Sequence, residues 1–278
     1  MTGEELLKRY AAGERNFSGI DLSGVDFNSI PINDTSIDLS GIDLSGADLT
    51  QVVLGSVNLT NANLSAAILL KAGMHDVTLT GANLTGADLR GLEAHESNWQ
   101  RANLTRANLG FSKLTQLDLT EAILSHADLT CADLIMCKFV DAVMASIQAV
   151  CTNFTHGFFN RAYLRKANLE RARIEYTVLD YANFTAANLI NAALMYCDAT
   201  KVNFTYASMG GVGIETAFTK SNFSNADLSD GSFYRLIIEE CDFRNAFFHR
   251  TRITQVTFEN CLWGEVSSFD TDAIIRDN

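Results

Sequence analysis

The sequence of 278 residues is 47% hydrophobic and 19% charged with a single proline, which indicates a globular chain of one large domain or two small ones. A formal net charge of −12 disfavours non-specific binding to nucleic acids or to anionic membranes. Since the sequence contains no signal-peptide core and no apolar run long enough to span a bilayer, we expect a soluble, cytoplasmic protein without direct nucleic-acid or membrane binding.

The first residues predict a short helix. Thr2 followed by Glu5 forms a capping box, in which the side chain of each residue accepts a hydrogen bond from the backbone N–H of the other. Because an open β-structure exposes unpaired strand edges, we expect this helix, over residues 2–12, to cover the first coil of the structure that follows. The predicted cap comprises residues 1–16, and the apolar face of its helix consists of Leu6, Leu7, Tyr10 and Ala11.

From residue 17 onward the sequence repeats with a period of five. Segments such as Ala47–Thr50 (ADLT) and Ala102–Thr105 (ANLT) follow one template, whose Leu or Phe we call the centre. Centres recur every five residues in three blocks, which run from Phe17 to Phe27, from Leu39 to Ile214 and from Phe223 to Trp263. The residue two positions before each centre is usually small, most often Ala.

A five-residue period fits neither a helix, with its period of about 3.6 residues, nor the two-residue alternation of a strand. A coil with corners can bury both the centre and the small residue before it if each five-residue unit forms one short side and a turn. The Asn or Asp that precedes most centres then lies outside, where its side chain bonds to turn backbone. The repeat therefore predicts a coiled chain with two inward positions per unit.

This template resembles that of the pentapeptide-repeat family, Ala-Asp/Asn-Leu-x-x, and the resemblance covers residues 17–263. It implies an all-β solenoid, a right-handed quadrilateral β-helix of about 12 coils with about 20 residues per coil. The N-terminal segment with its short helix is similar to the cap of cyanobacterial members of that family.

The period breaks twice, near residues 28–38 and 210–222. We predict a local bulge at each break: the first contains Pro31 and projects a short loop, and the second follows a glycine run that begins at Gly210. The last segment, residues 264–278, loses the period and is predicted to be a C-terminal cap or tail. Trp263 either closes the last coil or lies exposed at a dimer contact.

Histidines are the first candidates for chemistry. His75 and His95 are 20 residues apart, so we expect them to stack outward on adjacent coils with Asp76 and Glu96 beside them. Two imidazoles and two carboxylates on one face could bind a transition metal. We favour the alternative of a solvated surface, because a flat side of a solenoid offers no enclosed cleft.

The six cysteines are expected to be structural. Two pairs, Cys131/Cys151 and Cys241/Cys261, are each 20 residues apart and so within reach of a disulfide, but reduced thiols are favoured in an intracellular protein. No nucleophilic triad, zinc-spaced cysteine cluster or dinucleotide-binding glycine motif is present in the sequence. We therefore predict no enzymatic activity and no cofactor. The cysteines at the small inward position are Cys137, Cys197, Cys241 and Cys261.

A basic and aromatic stretch in the second half is the best clue to a partner. Arginine and tyrosine are frequent anchors of protein interfaces, and two of the tyrosines are 20 residues apart. The alternative is charge pairing between neighbouring coils, of the kind expected between Arg101 and Glu121. The predicted protein-binding residues are Arg161, Arg165, Lys166, Arg171, Arg173, Phe158, Tyr176 and Tyr196.

The family resemblance implies two non-enzymatic functions. Some members protect or inhibit DNA gyrase by presenting a DNA-like acidic rod, usually as dimers, and a cyanobacterial member acts in heterocyst differentiation by binding regulatory proteins. We predict a protein-protein interaction or scaffold module, including a regulatory one, that binds a protein of unknown identity as a monomer or end-to-end dimer. A DNA mimic that binds gyrase is the alternative, and a purely structural rod is the third.

Overall fold

The computed structural model describes residues 1–30, 36–264 and 274–276. Its backbone divides into two compact units, Met1–Ala142 and Val143–Asn278. Each unit is a parallel β-solenoid in which residues about 20 positions apart lie side by side on neighbouring turns. The solenoid fold expected from the five-residue period is confirmed.

The described residues of the first unit form a helix, a single helical turn and seven short strands. They are α1 (Gly3–Ala11), a 3-10 helix (Phe27–Ser29), β1 (Ile37–Asp38), β2 (Val53–Gly55), β3 (Val57–Asn58), β4 (Gly73–His75), β5 (Glu93–His95), β6 (Lys113–Thr115) and β7 (Asp133–Ile135). Strand β1 pairs with β3, and a parallel sheet has the order β2-β4-β5-β6-β7. Each strand of that sheet is aligned with the next at a separation of 20 residues, as Leu54 is with Met74.

Helix α1 begins after Thr2, the N-cap residue that the sequence predicts. The Thr2 hydroxyl accepts a hydrogen bond from the backbone N–H of Glu5 at 3.2 Å. Leu6 is fully buried, and the Tyr10 hydroxyl donates a hydrogen bond to the carbonyl oxygen of Ser40 at 2.7 Å. The helix is therefore held to the first unit by both an apolar and a polar contact.

The buried face of α1 is narrower than predicted. Ala11 is exposed and Leu7 is half-buried, because the helix ends at Ala11 and the chain then turns into the first coil. Gly3 is buried instead, and a Cβ at that position would lie only 2.6 Å from Cδ1 of Ile30. The absence of a side chain at Gly3 allows the first helical turn to approach the coil closely.

Described residues of the second unit form ten strands. They are β8 (Arg173–Glu175), β9 (Ala193–Met195), β10 (Ala199–Thr200), β11 (Gly213–Glu215), β12 (Phe218–Thr219), β13 (Ser232–Glu239), β14 (Asp242–Phe243), β15 (Arg252–Glu259), β16 (Leu262–Trp263) and β17 (Ile274–Arg276). One sheet has the order β10-β12-β13-β11-β9-β8, with β15 beside β13 and β17 beside β15, and β14 pairs with β16. All of these pairings are parallel.

Each five-residue unit forms one side of a turn and ends at a corner. The small residue Ala47 and the centre Leu49 are 0% and 2% exposed, as the repeat predicts. Two residues after the centre, Gln51 has φ of 57°, in the left-handed region. We call this position the corner. It recurs along the solenoid, and the left-handed conformation costs an L-residue about 1–2 kcal/mol.

The polar residue before the centre bonds to the turn, as predicted. The Oδ1 atom of Asn103 accepts hydrogen bonds from the backbone N–H of Thr105 at 3.0 Å and from its hydroxyl at 2.6 Å. Such side chains also bond between turns, since Nδ2 of Asn188 donates to Oδ1 of Asn168 at 3.0 Å. These polar groups stabilise the corner and the stacking of turns rather than a ligand site.

The first break in the period lengthens one turn. Bridge partners Asn16 and Asp43 are 27 residues apart, whereas Asp43 and Asn63 are 20 apart. The predicted loop around Pro31 falls at residues 31–35, outside the described residues. The chain makes about 11 turns of about 20 residues, which agrees with the predicted 12 or so.

The second break is a deletion, and the predicted bulge is wrong. Gly213 pairs with Ala193 at a separation of 20 residues, whereas Phe218 pairs with Ala199 at a separation of 19. One residue is therefore missing between these two pairs. The strands remain parallel and in register on both sides, because the residue that is lost belongs to a corner and not to a buried side.

Aromatic centres stack into a ladder in the second unit. The distances between successive ring centres are 5.1, 4.9, 4.9 and 5.0 Å along Phe184, Phe204, Phe223, Phe243 and Trp263. Trp263 thus continues the core ladder, which favours its role in closing the last coil.

The predicted C-terminal cap or tail lies mostly outside the described residues. Within it the structure describes Gly264 and strand β17, which pairs in parallel with β15. The predicted boundaries of the cap, the repeat region and the tail stay predictions. In the part of the chain that the structure describes, no helix has the length and apolar character of a membrane span.

Candidate protein-binding surface

The five predicted basic residues lie around one turn rather than on one face. Arg161, Lys166 and Arg171 have φ of 58°, 59° and 57° and are successive corners. With about 20 residues per turn, Arg161 and Arg171 are half a turn apart. Arg165 is exposed just before the Lys166 corner, and Arg173 begins β8. Residues close in sequence follow the circumference of the solenoid, so this cluster is not a single surface patch.

Carboxylates neutralise part of the cluster. Nε of Arg171 lies 3.8 Å from Oε1 of the preceding glutamate, and Nη2 of Arg173 lies 2.9 Å from Oε2 of Glu175. In the first unit, Nε of Arg101 lies 3.7 Å from Oε2 of Glu121, the pairing between turns that the sequence predicted. Exposed ion pairs contribute only about 0–1 kcal/mol, but they reduce the positive charge offered to a partner.

The predicted tyrosines do lie together. The rings of Tyr176 and Tyr196 stack with centres 5.1 Å apart and an interplanar angle of 24°. His156 stacks on the other face of Tyr176 at 5.2 Å and 22°. All three residues are corners, and the tyrosines are 51% and 56% exposed. We call His156, Tyr176 and Tyr196 the aromatic corner.

The side of the second unit next to the aromatic corner is also aromatic. Phe158, which is 42% exposed, lies between the corners at His156 and Arg161. Tyr181, a corner that is 53% exposed, has the Lys201 ammonium 5.1 Å from its ring centre. We call the combined set the aromatic surface; it consists of His156, Phe158, Tyr176, Tyr181, Tyr196 and Lys201.

Sequence reasoning missed three members of the aromatic surface, namely His156, Tyr181 and Lys201. The signal that could have found them is the 20-residue spacing. Residues with this spacing stack on neighbouring turns, and we call such a stack a column. His156 lies in one column with Tyr176, and Tyr181 lies in another with Lys201. Columns, and not neighbours in sequence, define a surface on a solenoid.

The aromatic corner ends at Tyr196 because the next turn lacks a corner residue. Thr216 is buried, and its hydroxyl accepts a hydrogen bond from the backbone N–H of Cys197 at 3.2 Å. The Tyr196 hydroxyl bonds to the carboxylate of Glu215, which raises the pKa of Tyr196 above its usual range. A depression of about 540 Å³ begins at Glu215, so the column of rings ends beside a recess.

The histidine pair in the first unit has the predicted arrangement. The rings of His75 and His95 stack with centres 5.6 Å apart and planes 11° apart. Glu96 lies beside them, with Oε1 3.3 Å from Nε2 of His95. Asp76 does not complete the group, because its carboxylate accepts a hydrogen bond from the hydroxyl of Ser56 at 3.0 Å.

The six cysteines differ in their burial. The four at the small inward position are buried as predicted, whereas Cys131 and Cys151 are exposed. Burial raises the pKa of Cys137 and of Cys241 to about 12, so these thiols are protonated at neutral pH and act as compact apolar fillers.

Two buried positions in every five residues, left-handed corners and parallel stacking of turns define the chain as a β-solenoid repeat protein. It belongs to the pentapeptide repeat family, whose members are structural or interaction modules. The family described as "Pentapeptide repeats" matches in eight copies, over residues 37–72, 58–91, 82–119, 111–144, 182–212 and 221–260.

Solved structures of pentapeptide repeat proteins are similar to this chain. HetL of the cyanobacterium Nostoc sp. strain PCC 7120, a protein involved in heterocyst differentiation regulation, is 25% identical over 90% of this chain and 94% of its own, with a TM-score of 0.33. QnrB1, a plasmid-mediated fluoroquinolone resistance protein, is 20% identical over 69% and 92%, with a TM-score of 0.43. Rfr23 from the cyanobacterium Cyanothece 51142 is 22% identical over 51% and 99%, with a TM-score of 0.35. No curated protein matches the chain.

Proposed function

We propose that this chain is a non-enzymatic protein-interaction module whose contact surface is the aromatic surface of the second unit. The observation that carries the proposal is the stack of His156, Tyr176 and Tyr196, which keeps two tyrosine rings about half exposed at a corner. Tyrosine is enriched among the residues that dominate binding energy, since its ring buries a large apolar area and its hydroxyl stays available for a hydrogen bond.

Pre-organisation supports this role. Tyr176 lies between two other rings, and the Tyr196 hydroxyl is held by Glu215, so these side chains have already lost much of their rotamer freedom. A partner therefore gains their contact area at a smaller entropic cost than it would from free side chains. Lys201 at the edge adds a positive charge beside the rings, which favours a partner with an acidic rim.

The gyrase-binding DNA mimic is the second candidate, and the net charge of −12 favours it. A mimic requires a continuous row of negative charge. In the first unit, however, Glu93, Lys113 and Asp133 follow one another in register along one column, and Nζ of Lys113 lies 2.9 Å from Oε1 of Glu93. Such alternation of sign supports the scaffold function over the mimic. A purely structural rod is the third candidate. We also propose that the protein is cytoplasmic.

The test compares binding by the wild type and by the double variant Tyr176→Ser/Tyr196→Ser. Proteins that the wild type retains from an extract of the source cells are purified, and their affinity for both chains is measured by interferometry. Since truncation of a binding hot spot costs about 2 kcal/mol or more, we expect the double variant to bind about 30-fold more weakly or worse.

Phe111→Ser is the matched control, because Phe111 is also an exposed corner aromatic but belongs to the first unit. It should leave affinity unchanged. Equal binding by the double variant and the wild type would contradict the proposed surface. Inhibition of purified gyrase by all three chains would instead support the DNA mimic, and the absence of any retained protein would favour the purely structural rod.

A further inference from the structure

The histidine pair of the first unit lies at corresponding ends of adjacent strands. His75 ends β4 and His95 ends β5, and the two residues are paired in register. Candidate donor atoms of His75, His95 and Glu96 all lie within 4.8 Å of one another. Two imidazole groups and a carboxylate thus lie close together at the surface, where the side chains of His95 and Glu96 are 43% and 54% exposed.

A hydrogen bond orients one of the imidazoles. Nδ1 of His95 lies 2.7 Å from Oγ1 of Thr115, the residue in register on β6. Nε2 is therefore the nitrogen that points away from the sheet partner and toward Glu96, at 3.3 Å. Metal-binding histidines usually have their second nitrogen hydrogen-bonded, and here that bond fixes the direction of the ring.

There is room beside the two rings. Gly73 stands in register between Val53 and Glu93, and no atom lies within 4 Å of the position that a Cβ would take there. The resulting depression of about 430 Å³ is lined by His75 and His95, among other residues. Glu96 is not part of this lining, so the depression borders the two imidazoles on the side away from that carboxylate and leaves them accessible to solvent.

We propose that His75, His95 and Glu96 bind one divalent late transition-metal ion, for which Zn²⁺ is the probe. Imidazole nitrogen and carboxylate oxygen suit zinc and copper, and the remaining coordination position stays open to water. Ligand atoms about 2.0–2.1 Å from a tetrahedral ion are about 3.4 Å apart, and rotation of exposed side chains closes the difference from 4.8 Å. The bound ion links two adjacent turns and so stabilises the first unit.

The test is calorimetric titration of the metal-free full chain with ZnCl₂. All titrations, of the unsubstituted site and of its variants, use a Cys131→Ser/Cys151→Ser background, because these exposed thiols offer Zn²⁺ an alternative site. We expect one ion per chain and an increase in the midpoint of thermal unfolding. His75→Ala and His95→Ala should each weaken binding at least about 10-fold, and Thr115→Val, which removes only the orienting hydroxyl, about 10-fold.

His126→Ala is the control, since His126 is an exposed histidine of the same unit outside the proposed site. It should leave the affinity for Zn²⁺ unchanged. Far-ultraviolet circular dichroism establishes that each variant is folded. Binding that persists in a His75→Ala/His95→Ala double variant, or an absence of binding at millimolar ZnCl₂, would overturn the site. Neither result bears on the aromatic surface, which lies in the other unit.

Discussion

The two units use the same corner position differently. In the first unit, several corners are glycines with φ between 62° and 69°; they are Gly19, Gly24, Gly41, Gly46, Gly81, Gly86 and Gly91. Among the described corners of the second unit, Gly211 is the only glycine, and large side chains such as Tyr176, Tyr181 and Tyr196 adopt the left-handed conformation. For a residue other than glycine, the left-handed conformation costs about 1–2 kcal/mol of conformational energy relative to the right-handed one.

The left-handed strain alone does not mark a functional corner, because non-glycine residues adopt it in both units, among them Phe111 and Tyr176. The second unit differs in the grouping of its corner side chains. Tyr176 and Tyr196 fill no core space, because they are about half exposed, and their rings stack on each other. This grouping supports the proposed placement of the binding surface in the second unit.

The cores of the two units differ as well. Leucine centres such as Leu84 and Leu104 fill the first unit, whereas stacked phenylalanines run through the second. Both cores exclude water, but a stacked aromatic pair adds about 0.5–1.5 kcal/mol beyond its burial. The second unit therefore depends more on the shape of its centres than the first unit does.

The largest expected effect tests this difference in the cores. Phe204 is fully buried between Phe184 and Phe223, and Phe204→Ala should lower the free energy of unfolding by about 3–5 kcal/mol. Phe204→Leu keeps most of the volume and loses the stacking, so it should cost about 1 kcal/mol. Urea denaturation followed by tryptophan fluorescence measures both values, because each unit contains one tryptophan, Trp99 or Trp263.

Leu104→Ala is the matched change in the first unit, with an expected cost of about 2–5 kcal/mol. Trp99→Phe and Trp263→Phe backgrounds assign the fluorescence signal to one unit at a time. If Phe204→Leu costs as much as Phe204→Ala, ring stacking outweighs volume. Equal shifts of both reporters in every variant would mean that the two units unfold together, and the energetic comparison between them would fail.

An intermediate effect comes from two of the buried thiols, Cys137 in the first unit and Cys241 in the second. Burial raises the pKa of Cys137 and of Cys241 from 9.0 to about 12. The thiol ionises at a lower pH in the unfolded chain than in the folded protein. The folded protein therefore keeps this contribution to its stability in full below pH 9 and loses it as pH rises from 9 toward 12. We expect a loss of about 1.4 kcal/mol per pH unit for each thiol in that range.

Unfolding free energies at about pH 8, 9 and 10 for the wild type, Cys137→Ala and Cys241→Ala provide the measurement. Each variant should show a shallower decline above about pH 9 in the unit that contains the substitution. Subtracting the variant from the wild type removes the contribution of lysines and tyrosines that titrate in the same range. If the free energy of unfolding declines in parallel in all three chains, these thiols do not govern the loss of stability at alkaline pH.

The fold was predictable because the five-residue period leaves few physical solutions. Burial of Ala47 and Leu49, the polar bond from Asn103 and the stacking of His75 on His95 all follow from the period and from the 20-residue turn. The left-handed corner was not predicted, since residues as different as Gln, Arg and Tyr occupy it. Its conformation is imposed by the stacked turns on both sides and not by the local residue type.

The candidate surface was only partly predictable. The pair Tyr176 and Tyr196 follows from spacing, but the grouping of Arg161 with Arg171 assumed that sequence neighbours share a face. The end of the aromatic corner depended on a deletion at Thr216 that looked like a bulge. A missing residue and an extra residue break a period in the same way, and only the pairing of strands distinguishes them.

The smallest expected effect tests the corners themselves. Gly86 has φ of 66°, and no atom lies within 4 Å of the position that a Cβ would take there, so Gly86→Ala introduces backbone strain without a steric clash and should cost about 1 kcal/mol. Ala186, a corner of the second unit with φ of 56°, allows the reverse change. Ala186→Gly relieves the left-handed strain but increases the entropy of the unfolded chain, so it should change stability by less than about 0.5 kcal/mol. Thermal unfolding of both variants measures the two values; a cost at Gly86 near zero would mean that the stacking of turns on both sides already offsets the left-handed strain.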